Sequence, residues 1–158
     1  MSRVHEPVVP KVWQAVFIIL LLPLLLPLIF LAVTLWLLHR VTLYLLVWLL
    51  WLPKGKDILF VYSDSPIWKE FMTQQLLPLV EQRAVVLNWS ERSKWPKWSL
   101  AARVLRSFGG GREFNPMVIL FRPLRPARTF RFWSAFTEWK HGKTDSVERL
   151  RNELFLQL

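Results

Sequence analysis

The chain reads as an apolar, membrane-spanning helix followed by a small α/β domain built on a three-stranded parallel sheet in the order 2-1-3. Three observations predict this: a charge-poor N-terminal third, a basic remainder, and short apolar runs in that remainder that alternate with helical stripes. Of the 158 residues, 53% are hydrophobic, more than an average soluble domain carries. From Val12 to Leu52 the only strongly polar side chains are Gln14, His39 and Arg40, whereas from Pro53 onward charges recur every few residues. The expected organisation is a polar tail at 1–11, a membrane region at 12–53 and a basic domain at 54–158.

Roughly 20 apolar residues in a helix cross a bilayer core about 30 Å thick, and Trp13 to Leu38 exceeds that length. Pro23 and Pro27 would break a soluble helix, but membrane helices accommodate prolines as kinks. A cleaved signal peptide is rejected, because the apolar run is too long and no small-x-small site follows it. The span is therefore expected at about 13–38. Val41 to Leu52 is apolar yet too short to recross the bilayer, and Trp48 and Trp51 beside Lys54 and Lys56 match an interfacial belt. An interfacial or re-entrant segment at 41–52 is the expectation. The alternative, a hairpin of two equal legs, would turn near Ala32 to Thr34 without Gly, Pro or Asn and would carry Arg40 into hydrocarbon. Arg3 and Lys11 on one side of the span against Arg40, Lys54 and Lys56 on the other favour a cytoplasmic domain at a plasma or bacterial inner membrane. The absence of cysteine fits a reducing compartment.

In the domain, Asp57 to Tyr62 is a short apolar run, and Ser63-Asp64-Ser65-Pro66 then supplies a helix cap with proline at the first helical position. The helix carries Trp68, Phe71, Met72, Leu76 and Leu79 on one stripe, and Pro78 disturbs its last turn. Ala84 to Trp89 reads as a second strand. Ser99 caps a helix to Phe108 that Gly109-Gly110-Gly111 stops, and Met117 to Phe121 is the third strand. Residues 123–129 form a Pro- and Arg-rich connection, Phe130 to Lys140 fits helix or strand, and Asp145 with Glu148 boxes a terminal helix. Strands separated by helices argue for parallel pairing, so the outline is flavodoxin-like, or half of a Rossmann domain.

Open parallel sheets bind ligands at the carboxyl ends of their strands. Asp64, Ser65, Asn88, Glu91 and Arg122 are the expected ligand-binding residues there, able to grip a phosphate or ribose. The plainer reading is that the serines cap a helix and the charges solvate loops. A second set is expected to face an anionic surface. Arg92-Ser93-Lys94-Trp95-Pro96-Lys97-Trp98 alternates tryptophan with bases, as a loop at a bilayer interface does, although stacking on single-stranded nucleic acid uses the same types. Arg122, Arg125, Arg128 and Arg131 recur every third residue between Pro123 and Pro126, a spacing that polyproline II would align on one edge. An irregular solvated loop accounts for it equally.

With no cysteine, three histidines and no His/carboxylate pair at metal spacing, no metal site is expected. Neither a G-x-S-x-G nor a Walker-type loop occurs, and Gly109 to Gly111 follows a helix rather than a strand, the wrong context for a phosphate loop. No cofactor and no catalytic residue is expected. Setting aside Arg3, Lys11 and Arg40 from the 21 bases and Glu6 from the 11 acids leaves a surplus of eight positive charges on residues 53–158. The nearest polyanion to a tethered domain is the headgroup layer. The expected function is thus a non-catalytic, membrane-anchored interaction or scaffolding domain on anionic lipid or a partner protein, with nucleic acid ranked behind. Two alternatives stand beside it: an anchored enzyme or sensor for a nucleotide-like or phosphate ligand at the strand ends, and an accessory subunit of a membrane complex with Phe130, Phe132, Trp133 and Trp139 toward a partner.

Overall fold

The computed structural model describes residues 11–111, 115–142 and 145–158. The polar tail with Arg3 lies outside the described residues, as do Arg112 and Lys143. Helix α1 runs without a break over Lys11–Leu50, 40 residues with Pro23 and Pro27 inside it. Among the described residues it is the one helix long and apolar enough to cross a membrane. The chain divides into two compact units, Met1–Val41 and Thr42–Leu158.

In the first unit, large apolar side chains from Leu25 to Leu38 are exposed. A helix that is hydrophobic on every side has no polar face to offer water. Two of its polar groups have contacts within the helix: the Thr34 hydroxyl donates to the Phe30 carbonyl at 2.8 Å, and the Arg40 guanidinium lies 4.9 Å from the centre of the Trp36 ring.

The second unit begins with the last turns of α1. Leu43, Val47 and Trp51 recur at a four-residue spacing, which places them on one helical face, and all three are buried. Within residues 41–52 the helix continues to Leu50, and Val47 and Trp51 join the core of the domain. A 3-10 turn at Leu52–Lys54 follows. It ends on Gly55 at φ +69°, a conformation that glycine adopts without steric cost.

The sheet has four strands in the order β2-β1-β3-β4: β1 (Ile58–Tyr62), β2 (Ala84–Asn88), β3 (Met117–Leu120) and β4 (Arg128–Arg131). β1 and β2 are parallel, whereas β3 is antiparallel to both β1 and β4. This overturns the expected three-stranded parallel, flavodoxin-like sheet. The reason lies between β2 and β3. Helix α3 (Leu100–Phe108) is nine residues long and closes at Gly109, which lies beside the side chain of Met117, the first residue of β3. β3 consequently enters where β1 leaves, with Met117 opposite Val61. The fourth strand arises from the Arg- and Pro-rich stretch. In place of a polyproline II edge, the chain turns, the Arg125 N–H donating to the Arg122 carbonyl at 3.3 Å, and pairs back so that Arg128 faces Leu120.

Successive strand residues point to opposite faces, and both faces are covered. Leu59, Val61, Leu87, Met117 and Ile119 meet Val47 of α1, Trp51 just past its end, and Ala101, Val104 and Leu105 of α3. Ile58, Phe60, Val118, Leu120 and Phe130 meet Phe71, Met72, Leu76 and Val80, together with Phe136 of α4 (Trp133–Lys140) and Val147 and Leu154 of α5 (Asp145–Phe155). Burial on both sides is why β1 and β3 are continuous apolar runs rather than alternating ones. The helical segment after β1 contains a π-helical turn, Phe71–Leu76, ahead of the short α2 (Leu77–Val80), with the Leu77 N–H donating to the Met72 carbonyl. The widened turn accommodates Pro78, which lacks an N–H and whose ring would strike a carbonyl one ordinary turn back.

Candidate functional site

The residues expected to act sit at two opposite ends of the sheet. Tyr62 pairs with Asn88 at the carboxyl ends of β1 and β2, whereas β3 finishes beside the start of β1, with Leu120 opposite Ile58. Asp64, Ser65, Asn88 and Glu91 therefore lie at one end and Arg122 at the other. The antiparallel β3 separates residues that a parallel sheet would have brought together.

At the first end the loops after β1 and β2 are tied to each other. The Asn88 side-chain amide donates to Asp64 Oδ2 at 3.0 Å, Lys69 Nζ lies 2.8 Å from Asp64 Oδ1, and the Asp64 N–H donates to Ser90 Oγ at 2.9 Å. Asn88 Oδ1 accepts from the Ser90 N–H at 3.0 Å, capping the 3-10 turn Trp89–Lys94. The hydrogen bond from Lys69, then that from Asn88, holds the Asp64 carboxyl below the usual aspartate range, and the same bond raises the Lys69 ammonium. Ser65 Oγ accepts from the Ile67 N–H at 3.4 Å, and buried Ser63 accepts from the Trp68 indole at 3.0 Å. Glu91 pairs with Lys94 at 2.9 Å, which raises the lysine. The polar atoms of this end thus serve capping and loop closure.

The tryptophan loop follows on the same end. Trp95 packs against Trp89 with ring centres 5.7 Å apart and joins the α1/α3 face of the core. Arg92 stacks over Trp89 at 5.3 Å. Trp98 is 81% exposed, with the Arg103 guanidinium 4.8 Å from its ring, and Lys97 beside it is exposed.

At the opposite end the β3–β4 loop carries the arginines. Arg122, Arg125 and Arg128, with Leu120, Pro126 and Gln157, line a cleft of about 180 Å³. Arg128 is engaged by Glu153 at 2.7 Å. Among the described residues no carboxylate lies within ion-pair distance of Arg122 or Arg125. Arg131 lies three residues further along β4 and lines a different, wider groove between α4 and α5 with Glu138, Arg149 and Glu153. The spacing of three therefore unites three of the four arginines, through a turn and a strand rather than a polyproline edge. Of the aromatics expected to face a partner, Phe130 and Phe132 are buried in the core, while Trp133 and Trp139 remain partly exposed.

Three residues of this end were not singled out by the sequence. Tyr44, in the buried part of α1, places its hydroxyl 2.6 Å from the Arg122 carbonyl and against that of Arg125, so that one proton serves both. A lone tyrosine in an apolar run was its signal, since a buried phenol seeks a partner. Leu124, at φ +59°, and Gln157 left none. No protein-family model, no curated protein and no solved structure matches the chain.

Proposed function

We propose that the chain is a single-span membrane-anchored protein whose basic α/β domain docks on the anionic headgroups of the cytoplasmic leaflet through the β3–β4 loop, as a non-catalytic interaction module. The observation that carries this reading is the pair Arg122 and Arg125, without carboxylate partners among the described residues, on a loop braced by Tyr44. Tyr44 follows Leu38, the end of the uninterrupted apolar run, by six positions, and six residues reach no further than about 20 Å. The loop is therefore tethered within reach of the headgroup layer. Each arginine near an anionic surface contributes about 1 kcal/mol, and tethering makes a weak contact sufficient by raising the effective concentration.

Retention of the helix, rather than its removal as a signal, is supported by Val47 in the helix and Trp51 just past its end, which join the domain core. The positive-charge bias of Arg40, Lys54 and Lys56 favours a cytoplasmic domain. An enzyme at the strand ends is less well supported, because Asp64 is held by Asn88 and Lys69, Glu91 pairs with Lys94 and Arg122 is at the far end. Native mass spectrometry of the full chain released from bilayers of mixed anionic and zwitterionic lipid tests the reading. Wild type is expected to retain an excess of anionic lipid that the Arg122→Ala/Arg125→Ala variant loses; equal retention by both would sink it.

A further inference from the structure

We infer that Leu124 is a membrane-inserting tip, entering the boundary between headgroups and acyl chains while Arg122 and Arg125 on either side hold lipid phosphates. The inference rests on the headgroup reading above and adds to it a specific apolar contact. Leu124 is 90% exposed, the highest value among the exposed large hydrophobic residues described. It also has φ +59°, a conformation that costs a branched side chain and that glycine or asparagine would adopt readily. Neither packing nor backbone geometry accounts for a leucine there. Contact with an apolar phase does.

On either side of Leu124 the backbone has few groups in need of water, which matters where unpaired ones are costly. Pro123 and Pro126 carry no N–H, the Arg125 N–H is bonded to the Arg122 carbonyl, and the carbonyls of Arg122 and Arg125 share the Tyr44 hydroxyl. Arginine stems lie along apolar surface while their heads stay with polar groups, so two arginines flanking an inserted leucine remain at phosphate level. The occupant of this surface is the bilayer, by the charge of the flanking residues and the short tether to the apolar run. A protein partner or a second copy is an outcome the experiment separates.

The chain has no cysteine, so Leu124→Cys and, at the opposite end of the sheet, Ser93→Cys each accept a single nitroxide, itself an apolar side chain. The full chain is reconstituted in vesicles of phosphatidylcholine with or without phosphatidylglycerol, and collisions with oxygen and with a water-soluble nickel chelate are measured. In anionic vesicles the label at 124 is expected to lose most nickel collisions relative to the label at 93 while keeping those with oxygen. Equal nickel access at both positions overturns the inference, and if anionic lipid is still retained selectively, the headgroup reading survives without it. Protection at 124 that persists without anionic lipid and in the Arg122→Ala/Arg125→Ala background keeps the tip and removes the headgroup reading. Protection that grows with the protein-to-lipid ratio assigns the surface to a second copy and overturns the inference.

Discussion

At the residue scale, single polar atoms hold the two ends of the domain. The Tyr44 hydroxyl stands at the carbonyls of Arg122 and Arg125, a contact from α1 to the β3–β4 loop. Tyr44→Phe keeps the ring against Phe121 and Phe108 but strips both carbonyls of their donor. A net loss of about 0.5–1.5 kcal/mol is expected for one such bond, read as a lowered midpoint in thermal unfolding of the full chain in detergent, with faster amide exchange confined to residues near 122–127. At the other end, Asp64 has its carboxyl held below the ordinary aspartate value by Lys69 and Asn88. A depressed acid contributes stability above its unfolded pKa and loses it as pH falls through the folded one. The Asp64→Asn variant should therefore match wild type in strong acid, fall behind it as pH rises from the depressed value toward about 4, and keep a constant deficit above that. Parallel unfolding curves from pH 2 to 7 would contradict the clasp. Because the group is exposed, the difference is expected to be small.

At the element scale, what the sequence disclosed depended on whether pattern or path decided the outcome. β1, β2 and β3 were legible because they are compact runs between turn residues, and Ser99 was legible as a cap, its hydroxyl accepting the Ala102 N–H at 3.3 Å. The direction of β3 was not, since apolar runs encode burial, whereas direction depends on where the preceding helix delivers the chain. β4 was hidden by arginines and prolines, residues that edge strands tolerate. The end of α1 was hidden for the opposite reason: when every residue from Val41 to Leu52 but Thr42 is apolar or aromatic, no stripe reveals which face is buried. Of the candidate site, the arginine spacing was visible, but Tyr44, Leu124 and the separation of Arg122 from Asp64 arise only from the folded path. The buried face of α1 makes a direct prediction. Val47 and Trp51 are 0% and 8% exposed, and burying side chains of this kind contributes about 1.5–3 kcal/mol each, a large share of a typical 5–15 kcal/mol. A fragment of residues 54–158 should accordingly unfold at markedly lower urea than one of residues 42–158, or fail to fold. Coincident urea transitions would show that the helix end is dispensable to the core.

At the scale of the whole molecule, the two basic clusters singled out above, residues 92–98 and the β3–β4 loop, lie at opposite ends of one sheet. The bases after β2 are partly consumed internally, Lys94 by Glu91 and Arg92 by the ring of Trp89. Those of the β3–β4 loop are less so, with Arg122 and Arg125 bordering the cleft. A strand advances about 3.3 Å per residue, so the two ends are separated by the length of β1, more than a Debye length of about 8 Å at physiological salt. One flat anionic surface cannot hold both at close range, and the end tied to Tyr44 is the one proposed to meet it. Hydrogen–deuterium exchange of the full chain in anionic vesicles should then show residues 121–127 protected relative to detergent, and residues 92–98 unchanged. Raising salt to about 1 M, where the Debye length falls to about 3 Å, should release most of the protection, because headgroup attraction is screened while the Tyr44 hydrogen bonds are not. If the protected segment were 92–98 instead, the exposed Trp98 would mark the membrane-facing end. The arginine cleft would then face the cytosol, and docking would depend on Lys97, Trp98 and Arg103.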